Sequence, residues 1–237
     1  MPPRLVGPCV AALLSVSATL AGEPSPATRP AQGPPAWHAT QPRHVLEDWS
    51  DTPAAGRLPA KWSFYGKKAE LKFAPAIVTN DGRRALWLKT ERYSVRLART
   101  LEVGLASTPV LSWEWKAVTL PAEGDVRSEI RDQVARIVLI FPPRYRPRML
   151  GYVWDTRAPV GTEAHTKQTM LDRWLIVARS GAADVGRWVR ESRNVATDYT
   201  RLFGDAPPAP MAIGVESHSE DAAHASEVYV GAITLGR

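Results

Sequence analysis

The sequence is almost free of cysteine. Its single cysteine, Cys9, lies in an apolar stretch close to the N-terminus of the 237-residue chain. One cysteine cannot form an intramolecular disulfide, and the chain beyond it offers no thiolate as a nucleophile or metal ligand. The folded part must therefore be stabilised by an ordinary apolar core.

Long apolar runs are also scarce, and the one present is N-terminal. Arg4 precedes apolar residues 5–20, and the small residue Ala21 precedes polar residues. This layout predicts a signal peptide at residues 1–21. The run is shorter than a membrane-spanning helix and contains Gly7 and Pro8, so we expect no transmembrane helix in the mature chain. The predicted location is periplasmic or secreted.

Residues 22–43 are rich in proline and alanine, and the prolines disfavour a continuous helix or strand. They predict a flexible tether. The remaining residues, 44–237, have the length of a single domain with a sizeable core.

Lysine is rare, supplying 7 of the 30 basic residues, and the net charge is +6. An excess of basic residues can attract polyanions such as acidic glycans, phospholipid surfaces or nucleic acid. The arginines are scattered along the sequence, which favours a role in solubility. Export to a compartment normally free of nucleic acid further argues against nucleic acid as a partner.

Short segments with two-residue alternation dominate the chain. Leu111, Trp113 and Trp115 fall on one face of a predicted strand, and residues 133–141 suit a central strand that is covered on both sides. Asn80-Asp81-Gly82 is a strong turn signal. Further predicted strands are residues 68–73, 85–89, 93–99, 149–154, 171–178, 187–191, 211–215 and 227–235. The number of predicted strands favours an antiparallel two-sheet β-sandwich or jelly roll.

One segment has helical rather than strand spacing. Asn194 is a good N-cap, and Gly204 followed by two prolines is typical of a helix end. The sequence therefore predicts one short helix near residues 195–203 in an all-β (minor α) fold.

Several motifs resemble the exported bacterial family of unknown function DUF3047. The resemblance covers residues 45–235. The motifs are Trp113-Glu114-Trp115-Lys116, Asp132-Gln133-Val134-Ala135-Arg136, Tyr152-Val153-Trp154, Gly186-Arg187-Trp188, Arg193-Asn194-Val195 with Asp198-Tyr199, and Phe203-Gly204 with Pro207-Pro208. The resemblance implies an exported protein of this fold and no particular activity.

Two positions depart from the family pattern. The family has two acidic residues before the central strand, and here Arg131 occupies the first of them. The family also has an Asp-rich stretch near the C-terminus, where this chain has residues 216–221. If those acids form a shared site, the resemblance implies that this member has altered or lost it.

Glu216 and His218 lie two residues apart, so on a strand they share a face, and Asp221 follows closely. Imidazole and carboxylate groups are ligands of divalent metals. These three residues are the candidate set for a structural divalent metal, and no other cofactor is expected. The alternative interpretation is a solvated polar loop.

Glu216 and His218 are also candidates for contacting a ligand, together with residues of the neighbouring strands. Glu114 and Lys116 share the polar face of their strand, and we expect Arg136 on an adjacent strand to join them in contacting sugar hydroxyls or an acidic ligand. The alternative is a surface ladder of ion pairs. Trp154, which precedes an acidic residue and a loop, is the candidate for a partly exposed ring on which a sugar could stack.

The sequence has no His-Glu-x-x-His, Gly-x-Ser-x-Gly or phosphate-binding glycine motif, and no catalytic residue is assigned. The favoured hypothesis is a non-catalytic envelope protein that binds a glycan or another envelope component. One alternative is a glycan hydrolase or lyase with a carboxylate pair drawn from Glu114, Asp132, Asp155, Asp198 and Glu216. The other is a structural or protein-binding envelope protein. The oligomeric state stays open.

Overall fold

The fold consists of β-strands with one short helix in the part of the chain that the structure describes. This computed structural model describes residues 43–51, 58–65, 71–168, 170–221 and 224–237. The predicted signal peptide and residues 22–42 of the predicted tether lie outside these ranges. The elements are β1 (His44–Glu47), β2 (Ser63–Phe64), β3 (Ala76–Asn80), β4 (Arg83–Glu91), β5 (Ser94–Thr100), β6 (Val110–Thr119), β7 (Ala135–Phe141), β8 (Arg148–Asp155), β9 (Glu163–Gln168), β10 (Leu171–Ser180), β11 (Val189–Asn194), α1 (Val195–Phe203), β12 (Ala212–His218) and β13 (Ala225–Gly236).

The strands form two sheets that pack face to face. The six-stranded sheet has the order β11-β6-β13-β4-β3, with β1 added to β13, and the seven-stranded sheet has the order β2-β5-β12-β7-β8-β10-β9. The predicted all-β two-sheet sandwich with a minor α component is confirmed.

One strand pair departs from the expected antiparallel pattern, because β8 and β10 are parallel. Parallel neighbours cannot be joined by a tight hairpin. Here β9 lies beyond β10 at the sheet edge and returns antiparallel to it, so the chain enters β10 in the direction of β8.

The core lies between the sheets and is rich in aromatic residues. The predicted inward face of β6 is confirmed, since Leu111, Trp113 and Trp115 are buried. Trp113 stacks on Tyr152 of β8 with ring centroids 5.3 Å apart, and Trp115 meets Trp154 at 5.7 Å. The central β7 is buried on both faces, as predicted.

The predicted helix is confirmed at α1. The Asn194 side chain accepts a hydrogen bond from the Thr197 backbone N–H, and Gly204 ends the helix with a φ of 81°. That left-handed conformation is one that glycine adopts without strain. No helix within the described ranges is long and apolar enough to cross a membrane.

Replacing Asn194 with alanine is expected to destabilise the protein by about 1 kcal/mol, because the Thr197 N–H loses its acceptor. Asn194→Asp, which keeps an oxygen acceptor, should be close to wild type. Urea unfolding of the three proteins checks this, and equal stability of the alanine and aspartate variants would contradict it.

Some strand predictions were wrong. Residues 71–73 of the predicted strand 68–73 are not in a strand, and residues 68–70 lie outside the described ranges. Four strands, β1, β2, β3 and β9, were not predicted. β9 is an edge strand with polar residues at most positions, so it lacks the apolar alternation that signals a half-buried strand.

Candidate functional site

The seven-stranded sheet turns one face toward the core and one face away from it, here called the outer face. Part of the outer face carries a small apolar cluster of buried residues, namely Val126, Val153, Ala158, Leu175 and Val177. The neighbouring part, on β5, β12 and β7, carries charged side chains. The candidate site is this charged part.

Three charged residues face one another across three adjacent strands. Glu216 on β12 pairs in register with Arg96 on β5 and with Arg136 on β7. We call these three residues the charged row. Because side chains alternate along a strand, His218 lies on the same face as Glu216, as the sequence predicted.

Glu216 is buried and its carboxylate is fully engaged. Its Oε2 accepts from His218 Nε2 at 2.7 Å and from Arg136 Nη1 at 3.3 Å, and its Oε1 accepts from the Tyr65 hydroxyl. Burial alone would raise the pKa of Glu216, but the hydrogen bond from His218 and the nearby charges hold it well below its usual range. Glu216 is therefore ionised at neutral pH.

The contacts of His218 settle which ring nitrogen carries its proton. A carboxylate only accepts hydrogen bonds, so Nε2 donates to Glu216 and Nδ1 accepts from Ser94 Oγ, which lies 3.0 Å away. Burial and the charge of Arg136 lower the pKa of His218 to about 4. The imidazole is therefore neutral at pH 7.

Arg136 is held by a chain of polar contacts that begins at the C-terminal end of β8. Asp155 accepts the backbone N–H of Val126 at 3.0 Å and the Gln133 side-chain amide at 3.2 Å. Gln133 Oε1 in turn accepts from Arg136 Nε at 2.8 Å. The loop over the apolar cluster and the charged row are thus parts of one hydrogen-bonded network.

Tyr65 reaches Glu216 across Gly214. A Cβ on Gly214 would lie 3.3 Å from the Tyr65 hydroxyl and 2.7 Å from Val138 Cγ2, so a side chain there would displace one of them. Burial and the charge of Glu216 raise the pKa of Tyr65 well above its usual value. The phenol therefore stays protonated and donates.

Buried and accessible members of the site have different roles. Arg136, Glu216 and His218 are at most 3% exposed, so they position their neighbours. Arg96 is partly exposed and bonds Glu220 at 2.8 Å, and Tyr65 and Arg173 are also partly exposed. These outer groups are the ones that a ligand can touch.

The expected grouping of Glu114, Lys116 and Arg136 was wrong. Glu114 and Lys116 lie on β6 of the six-stranded sheet, whereas Arg136 lies on β7 of the other sheet. Glu114 pairs with Arg83 at 2.8 Å and Lys116 with Asp81 at 2.7 Å. These contacts match the alternative of surface ion pairs.

The expected exposure of Trp154 was also wrong. Its side chain is fully buried, it meets Trp115, and its Nε1 donates to the backbone carbonyl of Gly181 at 3.1 Å. Trp154 alternates with Val153 and shares the core-facing side of β8 with Tyr152. Its ring therefore fills the core and offers no stacking surface.

The candidate metal set is not assembled. Glu216 and His218 meet, but the Asp221 carboxylate accepts the Arg131 backbone N–H at 2.9 Å. No group of three or more His, Cys, Asp or Glu side chains suited to a metal occurs within the described ranges. The Arg136 guanidinium already supplies the positive charge beside Glu216.

The proposed carboxylate pair finds no support in this arrangement. Glu114 and Glu216 lie on different sheets, and the Asp198 carboxylate binds Arg193 and Tyr152 beside α1. Asp155 accepts backbone N–H groups. The low pKa of Glu216 also makes it a poor general acid.

Three surface clefts lie away from the charged row. A cleft of 530 Å³ is bordered by β1 and the end of β5, and one of 370 Å³ adjoins β1. A third, of 340 Å³, lies where Arg144 and Arg148 bind the Asp205 carboxylate at 2.9 and 2.6 Å. These two arginines are thus neutralised in part by the chain itself.

Sequence reasoning missed Tyr65, Arg96, Gln133 and Arg173 as members of the site. Arg96 carried a usable signal, because it alternates with the buried Val95 and Leu97 and so had to face outward. Its strand is flanked by β12, where Glu216 pairs with Arg96, and by β2, where Phe64 pairs with Leu97. No local pattern contains either pairing.

The model of one protein family matches residues 48–234, and its description is "Protein of unknown function (DUF3047)". The chain belongs to the DUF3047 family. This confirms the resemblance seen in the sequence. No curated protein matches this DUF3047 chain.

Solved structures similar to this DUF3047 chain include carbohydrate-binding modules and glycoside hydrolases. The family 11 carbohydrate-binding module of cellulase Lic26A-Cel5E from Clostridium thermocellum has a TM-score of 0.43 and 12% identity, covering 83% of this chain and 95% of that one. The xyloglucanase domain of NopAA from Sinorhizobium fredii has a TM-score of 0.41 and 8% identity, covering 75% and 94%. Endoglucanase 3 of Trichoderma harzianum has a TM-score of 0.38 and 7% identity, covering 84% and 99%.

Proposed function

We propose that this protein is an exported, non-catalytic module that binds a glycan of the bacterial envelope on the outer face of the seven-stranded sheet. The observation that carries the proposal is the charged row, Arg96, Glu216 and Arg136, laid across three adjacent strands. The N-terminal pattern of residues 1–21 supports export.

The chemistry of the outer groups suits sugar hydroxyls. A hydroxyl both donates and accepts, so it pairs with carboxylate acceptors and with guanidinium or phenol donors. Arg96 supplies donors and Glu220 supplies acceptors at the accessible edge of the row. Strands hold such groups more rigidly than loops do, which lowers the entropic cost of binding.

The protonation states favour binding over acid–base catalysis. At neutral pH Glu216 is ionised, Tyr65 is protonated and His218 is neutral with both ring nitrogens engaged. A general acid or base needs a pKa near the working pH and a free position for the proton. These three groups instead form a fixed hydrogen-bonding scaffold.

Arg96→Gln is expected to weaken glycan binding about tenfold or more, since it removes charged hydrogen-bond donors from the edge of the site. The measurement is titration calorimetry of the full chain with purified envelope polysaccharides. The matched control is Arg83→Gln, a partly exposed arginine of an ion pair on the other sheet. Its affinity should equal that of wild type.

Two outcomes would contradict this proposal. One is that no envelope polysaccharide binds the wild-type protein at millimolar concentration. The other is that Arg83→Gln weakens binding as much as Arg96→Gln, which would show that affinity follows the total positive charge of the protein and not the charged row.

A further inference from the structure

Arg173 on β10 belongs to the outer face of the seven-stranded sheet. Its neighbour Trp174 packs against the core, so alternation turns Arg173 outward. Glu216, Tyr65 and the guanidinium groups of Arg96 and Arg131 all act electrostatically on it. Arg173 therefore borders the candidate site although its strand lies two positions from β7.

Arg173 differs from the other arginines of the site in having no acidic partner. Arg136 pairs with Glu216 at 3.3 Å and Arg96 with Glu220 at 2.8 Å. The side chain of Arg173 has no hydrogen bond or ion pair to a residue within the described ranges, and its Nε is buried without a hydrogen-bond partner. Burial lowers its pKa, and the charges of Arg131 and Arg96 oppose the attraction of Glu216.

The site consequently carries an unmatched positive charge. Arg96 is matched by Glu220 and Arg136 by Glu216, and His218 is neutral at pH 7, which leaves the Arg173 charge without an acidic partner. Removing a guanidinium from water without a partner costs free energy. A binding site can keep such an unfavourable group when the bound ligand supplies the missing partner.

We propose that the glycan carries an anionic group, either a sugar carboxylate or a sugar phosphate, that pairs with the Arg173 guanidinium. This inference rests on the proposed function and adds the class of sugar. The planar guanidinium fork matches a carboxylate or phosphate with two parallel hydrogen bonds. Glu216 then excludes a wrongly placed second anion by repulsion, while Arg96 and Glu220 contact the hydroxyls.

The test compares a charged polymer with its own uncharged form and with a polymer that carries a different anion. The full chain is titrated with a polyuronate, with the same polymer after its carboxyl groups are reduced to hydroxymethyl groups, and with a polymer of sugar phosphate. Wild type should bind at least one charged polymer about tenfold or more tightly than the reduced one. The charged polymer that binds with the higher affinity identifies the class of anion.

Arg173→Gln should abolish the preference for the charged polymer, while Arg157→Gln, which alters an exposed arginine with only a 3.5 Å contact to Glu123, should keep it. The melting temperature of Arg173→Gln gives a second readout. Because the substitution removes an unpaired, partly buried charge, this temperature should stay equal or rise. A marked fall would show a structural role and overturn the assignment.

The failures of the two proposals are distinguishable. Equal affinity for charged and reduced polymers would overturn the anionic class and leave glycan binding intact. Retention of the preference by Arg173→Gln would overturn the role of Arg173. Failure of all charged and neutral polymers to bind would overturn the proposed function itself.

Discussion

Arg136→Met is expected to destabilise the protein by about 3 to 5 kcal/mol, the usual cost of breaking a buried ion pair. Glu216 would stay buried without its cation, and the Gln133 side-chain oxygen would lose its donor. For a domain of this size, each kcal/mol lowers the melting temperature by roughly 2–4 °C. Urea unfolding at pH 7 measures the change directly.

Two further variants make this prediction specific. Arg83→Met removes a partly exposed arginine from its ion pair with Glu114 and should cost no more than about 1 kcal/mol. The double variant Arg136→Met/Glu216→Gln removes both buried charges and should be at least as stable as Arg136→Met alone. If the two single costs simply add, the charges do not interact as the structure indicates.

The fold was largely predictable because its signals are local. The alternation of Leu111, Trp113 and Trp115 indicates a strand with one buried face, and Asn194 with Gly204 marks both ends of the helix. Each of these signals lies within about ten residues. Local patterns give the type of an element and the face that it buries.

The pairing of strands was not predictable by the same reasoning. Glu216 on β12 meets Arg96 and Arg136, which precede it by many strands, whereas β13 follows it directly and lies in the other sheet. Alternation correctly placed Glu216 and His218 on one face, but it contains no information on which strands flank them. For that reason Arg136 was assigned to the wrong sheet beside Glu114.

Trp154 shows how chain context can mislead. The acidic residue and loop that follow it suggested exposure, yet the alternation of Tyr152, Val153 and Trp154 already turned its ring toward the core. Asp155 is itself buried, because backbone N–H groups of the following turn bind its carboxylate. A polar residue after an aromatic one is therefore weak evidence that the ring is exposed.

The buried and accessible halves of the site follow from one physical constraint. An ionised carboxylate can be buried only when donors surround it, and Glu216 has three of them. Those donors are then unavailable to a ligand. A ligand can therefore contact only the residues at the edge of the charged row. Substitutions in the buried half should alter stability, whereas Arg96 and Arg173 should alter binding.

The free energy of unfolding is expected to fall as the pH drops below about 6.5, the pKa of an unfolded histidine. Because burial and Arg136 lower the folded pKa of His218 to about 4, the unfolded chain binds the proton first. The resulting loss between pH 7 and pH 5 is roughly 2 kcal/mol. Glu216 acts in the same direction at lower pH, since its depressed pKa makes the unfolded carboxylate take up its proton first.

His218→Gln isolates this contribution, because an amide N–H can still donate to Glu216 but does not titrate. Urea unfolding of both proteins at pH 7 and pH 5 should show the loss in wild type and little of it in the variant. The other histidines of the described ranges, His44, His165 and His224, are more exposed and are shared by both proteins, so they cancel in the comparison. An equal loss in the two proteins would mean that the pKa of His218 is not lowered in the folded state. The assignment of a neutral ring whose Nδ1 accepts from Ser94 would then be wrong.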